Sequence, residues 1–131
     1  MRHVLPFACL ILAACGAGQA AAPTVPDLET ILADKPAPVL SDYGFFTDAG
    51  ADHPAKRVKS YDLINPLFSD DADKHRFIYV PPGERAKADG AGLPEFPVGT
   101  ALIKTFAFEQ DGKRRLIETR VLLHRADGWL A

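Results

Sequence analysis

The sequence predicts a mainly β domain, an antiparallel sheet or a β-sandwich-like domain with one short amino-terminal helix, preceded by a lipoprotein signal peptide. Three observations predict it. Eleven prolines and ten glycines among 131 residues cut the chain into short runs, which favours strands and turns over long helices. An Asp-Gly pair, Asp111-Gly112, sits between two alternating apolar segments and marks a hairpin. The first residues are a short cationic start followed by an apolar run that ends at a cysteine.

That run, Val4 to Ala14, is shorter than the roughly 20 residues a permanent membrane span needs. It closes on Leu12-Ala13-Ala14-Cys15-Gly16, which looks like a bacterial lipobox. Residues 1–14 are therefore expected to be a signal peptide and Cys15 the site of lipid attachment. By resemblance to bacterial sorting rules, Gly16 rather than an aspartate after the cysteine implies the outer membrane over the inner one, with the protein facing the periplasm. Residues 15–26 read as the lipidated cysteine and its tether, and residues 27–131 as the β-rich domain. The two cysteines are Cys9, inside the signal, and Cys15. The mature part then has no thiol for a disulfide, a thiolate metal site, a nucleophile or a Cys-x-x-Cys-His haem attachment.

Asp27 is an N-cap candidate, with Leu28, Ile31 and Leu32 at i, i+3, i+4 spacing for about two turns of helix. Thr47 to Lys59 reads as a polar loop. Arg76-Phe77-Ile78-Tyr79-Val80 is rich in β-branched and aromatic residues and is predicted to be a strand, stopped by Pro81-Pro82-Gly83. Ala86 to Leu93 reads as a surface loop. Thr100 to Phe108 and Arg114 to His124 form the hairpin arms. A two-residue turn at Asp111-Gly112 sets a register in which Leu102 opposes Val121 and Phe106 opposes Ile117 on a mainly apolar face. Ile103 then opposes Arg120, and Thr105 opposes Glu118, on a mixed face under a partial second layer. A second turn at Arg125-Ala126-Asp127-Gly128 leads to Trp129. A returning strand of three residues is short for the burial a tryptophan needs, so the domain is expected to continue past Ala131.

Charge narrows the partners. Fifteen basic against 17 acidic side chains leave a formal charge of -2. Spread evenly, that charge makes no single-sign field of the kind a phosphate backbone needs, and nucleic acid is not an expected partner. His53, His75 and His124 are far apart in sequence, without metal-ligand spacing. Ser69-Asp70-Asp71-Ala72-Asp73 reads as solvated turn chemistry rather than a calcium loop. Glu118 and Arg120, two apart on one strand, form an ion pair or a polar cluster with His124. No glycine-framed nucleophile and no phosphate loop is present, so no metal site, catalytic residue or cofactor-binding residue is assigned within the chain.

Several segments together resemble one family: Leu40-Ser41-Asp42-Tyr43-Gly44-Phe45-Phe46, Tyr61 to Asp70, Lys74-His75-Arg76-Phe77, Phe96-Pro97-Val98-Gly99-Thr100, Lys104-Thr105-Phe106, Glu118-Thr119-Arg120 and His124 to Trp129. They are similar to the amino-terminal part of bacterial envelope lipoproteins described as diheme c-type cytochromes, often encoded beside a parallel β-helix protein. The resemblance implies a module that supports electron transfer by covalent haem c held in a carboxyl-terminal region this sequence lacks. It also implies a redox or β-helix protein partner. Asn65, Asp70, Lys104, Glu118 and Arg120 match recurring motif positions of unknown role. An alternative expectation is a non-catalytic periplasmic binding module for polysaccharide or a partner protein, using Phe45, Phe46 or Tyr79 as exposed aromatics. A third is a metal-assisted hydrolase built on Asp70, Asp73 and His75.

Overall fold

A computed structural model of the chain describes residues 24–68, 71–88, 90 and 92–131. The expected signal peptide, Cys15 and most of the tether lie outside the described residues, as do Ser69 and Asp70. The fold is one open five-stranded antiparallel sheet in sequential order: β1 (Val58–Ser60), β2 (Asp73–Tyr79), β3 (Ala101–Gln110), β4 (Lys113–Arg125) and β5 (Gly128–Leu130). Of the two predicted forms, the single sheet is the one adopted. No second sheet is formed among the described residues, and loops with one helix close the inner face.

The helix α1 (Leu28–Leu32) begins where the cap requires. Asp27 accepts from the Glu29 amide at 3.0 Å and from the Thr30 hydroxyl at 2.7 Å. Ala33 turns extended and ends it after five residues rather than two full turns. Ile31 is buried, whereas Leu32 faces water. So short a helix depends on tertiary contacts. Arg125, buried at the end of β4, supplies one by donating to the carbonyls of Ile31 at 3.2 Å and Asp34 at 3.1 Å. Gly99, with φ of +90°, lets the chain pass close by: a Cβ there would lie 2.8 Å from both Leu28 and Pro81.

Phe45, Phe46 and Tyr79 are core residues, which corrects their expected role as exposed binding aromatics. Tyr43 stacks on Phe45 with ring centroids 5.3 Å apart, and Phe46 meets Phe77 edge-on at 5.1 Å. The expected polar loop from Thr47 to Lys59 instead divides: its last two residues, Val58 and Lys59, open β1, and the part before them covers the inner face and buries Ala51 and Ala55. Asp48 organises it, accepting from the amides of Gly50, Asp52 and His53. Arg114, near the hairpin tip, donates to the Gly50 carbonyl and pairs with Asp52, clasping the loop to the sheet.

The hairpin forms as the turn chemistry demands, with Asp111 at φ 53° and Gly112 at φ 68°. The predicted register holds from Gln110↔Lys113 to Ala107↔Leu116 and then breaks. Phe106 opposes Glu118, Thr105 opposes Thr119, and Ile103 opposes Val121, because Ile117 is an extra residue in β4. This β-bulge corrects both predicted faces. Ala101, Ile103, Thr105 and Ala107 point into the core with Val121 and Leu123. Leu102, Lys104 and Phe106 lie on the half-exposed outer side. Thr105 and Thr119, opposite each other, share a hydroxyl hydrogen bond of 3.0 Å in place of the predicted Thr105–Glu118 pair.

Two outcomes test this architecture. Ile103, 1% exposed, is expected to cost about 2–4 kcal/mol on truncation to alanine, whereas Leu102→Ala costs less than about 1 kcal/mol, both read from urea unfolding. The predicted register would reverse that order. Burial works to raise the Asp48 pKa, but the amides of His53, Asp52 and Gly50 and the charge of His53 outweigh it and hold the carboxyl below its ordinary value. A lowered carboxylate pKa contributes stability above the ordinary value and loses it as pH falls through the folded one. Asp48→Ala is therefore expected to cost about 1–2 kcal/mol at neutral pH, with the gap to wild type closing as the pH drops into the acid range.

Candidate functional site

Alternation along the strands places one residue set on the outer face, and that set is strongly basic. Lys59 lies there on β1, Lys74 and Arg76 on β2, Lys104 on β3, and Lys113, Arg115 and Arg120 on β4, by the pairing of each strand with the next. Glu118 is the only carboxylate at an outward strand position among the described residues. The acidic strand residues Asp73 and Glu109 fall on the inner side. The chain is slightly acidic as a whole, but its charge is not evenly spread, as the sequence reading assumed.

Three cations form a line across the middle of the sheet: Arg76 opposes Lys104, and Lys104 opposes Arg120. The next row carries Lys74, Phe106 and Glu118. The Lys104 ammonium stands 4.4 Å from the centre of the Phe106 ring, and the Arg120 guanidinium lies 5.0 Å from it. Arg120 also pairs with Glu118. Desolvation, followed by the charges of Arg76, Lys74 and Arg120, lowers the Lys104 pKa against the smaller opposing pull of Glu118. Lys104 thus sits in a positive potential that the protein itself leaves incompletely balanced.

The segment 61–68 borders this face. Its Tyr61 amide donates to the Arg76 carbonyl at 3.0 Å, and the Leu67 carbonyl accepts from the Lys74 ammonium. Pro66, Leu67 and Phe68 line an open hollow with Lys74 and Arg76. Arg76 is only 8% exposed and donates to the Lys74 carbonyl at 3.1 Å. At the far end of the face His124 stacks on Trp129 with centroids 4.6 Å apart, and Phe96 meets Trp129 edge-on at 6.2 Å.

Of the five motif positions, Lys104, Glu118 and Arg120 come together on the outer face. Asn65 lies in the exposed bordering segment, and Asp70 lies outside the described residues. The polar cluster expected from Glu118, Arg120 and His124 forms only in part, since His124 turns to Trp129. Asp73 and His75, proposed for a hydrolase, occupy the first residues of β2 rather than a turn. Among the described residues no three His, Cys, Asp or Glu side chains gather as a metal site. Sequence reasoning missed Lys59, Lys74, Arg76, Lys113 and Arg115. The Lys74/Arg76 and Lys113/Arg115 pairs, each two residues apart, were the available signal, since that spacing puts both members on one strand face.

Like charges directly across a sheet oppose folding. Lys104→Gln, which removes the middle cation of the line, is expected to raise stability by up to about 1 kcal/mol at low salt. The gain should shrink at high salt, in thermal unfolding followed at two ionic strengths.

No family model, curated protein or solved structure matches the chain. The outer face therefore stands on its own geometry.

Proposed function

We propose that the chain is a non-catalytic, membrane-tethered β module of the bacterial cell envelope. It supports the haem-bearing region of an electron-transfer lipoprotein on the periplasmic side of the outer membrane. The observation that carries this reading is the one-sided sheet. Loops, α1 and two arginine clasps close its inner face, while its outer face presents an excess of cations around Phe106 and, among the described residues, no aligned nucleophile and base. Such a face is suited to contact rather than to bond-making.

The residues present do not fit haem c within this chain. Covalent attachment needs a Cys-x-x-Cys pair with a histidine directly after it, whereas Cys9 and Cys15 are six residues apart and are followed by Leu10 and Gly16. His124 is stacked on Trp129, and His53 lies 3.6 Å from Asp48. Electron transfer is assigned to the partner region, and this module holds and orients it. A second reading, a binding module for polysaccharide or a partner protein, is favoured by the half-exposed Trp129 beside His124 and Phe96. In that reading Trp129 takes the place of the buried Phe45, Phe46 and Tyr79.

The test is spectroscopic and cellular. Lipoprotein isolated from envelope membranes is expected to show a sharp reduced c-type band, whereas residues 1–131 produced alone are colourless. Cys15→Ser should move the protein from the membrane to the soluble fraction. A haem-loaded product from residues 1–131 alone, or an uncoloured lipoprotein, would sink the electron-transfer reading.

A further inference from the structure

We infer that the 63–68 segment and the basic outer face together form a docking surface for an anionic lipid bilayer. The inference rests on the proposed export and tethering of the chain, and it specifies which side of the module the membrane meets. Ile64 is 98% exposed, Leu67 82% and Phe68 76%. Three large apolar side chains this open, within five residues, carry a standing hydration cost that transfer into an acyl layer removes. Leu67 and Phe68 edge the open hollow they share with Lys74 and Arg76, and with Ile64 they lie open to water on a surface loop, which we call the prong.

The prong is fixed to the cationic face. The Leu67 carbonyl accepts from the Lys74 ammonium, and just before the segment the Tyr61 amide donates to the Arg76 carbonyl. Apolar side chains bordered by lysine and arginine match the layering of a bilayer surface, with hydrocarbon below and lipid phosphate at the height of the cations. Asp62, Asp71 and Asp73 line hollows beside Lys74 and Arg76. Arg120 is paired with Glu118, so the positive potential is least compensated at Lys104 and Arg115.

Other occupants fit less well. A second copy of the chain would bring two basic faces together. An acidic protein would satisfy the cations but would also need a cleft shaped for Ile64, Leu67 and Phe68. A bilayer accepts a prong without shape matching, and anionic headgroups satisfy the cations in any register. A membrane contact of this kind would orient the module rather than hold it, since acyl chains on Cys15 would supply the anchoring.

The test uses the full chain recovered from the envelope and reconstituted into vesicles, with Ile64→Cys carrying a polarity-sensitive dye. Asp34→Cys, at the end of α1, is the control position. Peptide mass at the amino terminus reports acylation of Cys15 independently, so loss of the tether and loss of the docking surface are told apart. In phosphatidylcholine vesicles containing phosphatidylglycerol, the dye at residue 64 should shift to the blue and be quenched from within the bilayer, and the dye at residue 34 should not. Lys59→Glu, Lys113→Glu and Arg115→Glu together, all at exposed positions, should weaken that insertion by about tenfold or more. Leu67→Ser with Phe68→Ser should do the same through the apolar half. The inference is overturned if the dye at residue 64 stays in water at every lipid composition, or if the charge reversals leave its insertion unchanged. Tight binding of an acidic peptide or a single-stranded oligonucleotide by the same face, with no insertion, would likewise overturn it.

Discussion

The extra residue at Ile117 decides which way this sheet faces, and the rest of the structure depends on it. Two demands meet in the hairpin. The Asp111-Gly112 turn fixes the pairing at the tip, because a two-residue loop of positive φ leaves no freedom in register. The core fixes the pairing at the base, where Ala101 and Ile103 must share a side with Val121 and Leu123. An unbroken ladder from the turn would set Arg120 against Ile103 and Glu118 against Thr105, driving both charges inward. Burying that pair would cost several kcal/mol per ion before any compensation. One unpaired backbone position in a bulge is the smaller cost.

The same bulge sorts the charge. With β4 shifted by one residue beyond Leu116, Arg120 comes to lie beside Lys104 and Glu118 beside Phe106. The outward set of β2 adds Lys74 and Arg76 to the same surface. A chain of formal charge -2 thereby acquires a basic face and a more acidic remainder. Net charge governs solubility, but the field a partner feels is that of the nearest face. The lowered pKa of Lys104, set first by desolvation and then by its cationic neighbours, is the local mark of that field.

What could be read in the sequence was what local chemistry controls. The Asp27 cap, the strand predicted over Arg76 to Val80 and the Asp111-Gly112 turn each depend on residues within a few positions of one another; the cap and the turn are present as expected, and the strand forms but runs from Asp73, which had read as a turn, to Tyr79. The exposure of Phe45, Phe46 and Tyr79 was misread, because a single aromatic does not reveal which side of a sheet it meets. Ala51 and Ala55 were assigned to a polar loop by their neighbours, although small residues can be buried where a loop folds back on the core. The hairpin register went wrong for a related reason. Both alternating patterns contain apolar residues, and only the packing of Val121 and Leu123 against the loops chooses between them. Lys104, Glu118 and Arg120 were recognised as motif residues, but their meeting with Lys74 and Arg76 depends on pairing between strands that no spacing along the chain records.

The two faces also differ in how they treat their arginines. On the inner side Arg125 donates to two carbonyls at the end of α1, and Arg114 holds the Gly50 carbonyl and Asp52. Each guanidinium commits part of its donor set to loop backbone or carboxylate, which ties those loops to the sheet, while Arg114 Nε and Nη2 and Arg125 Nη2 stay buried without a partner. On the outer side a line of Arg76, Lys104 and Arg120 shares Glu118 and the Phe106 ring, and Lys113 and Lys59 stand exposed. Carboxylate pairing occurs on both sides, Arg114 with Asp52 and Arg120 with Glu118, but the outward strand positions hold seven cations against that one carboxylate, so among the described residues the surplus positive charge of the sheet lies on its outer face.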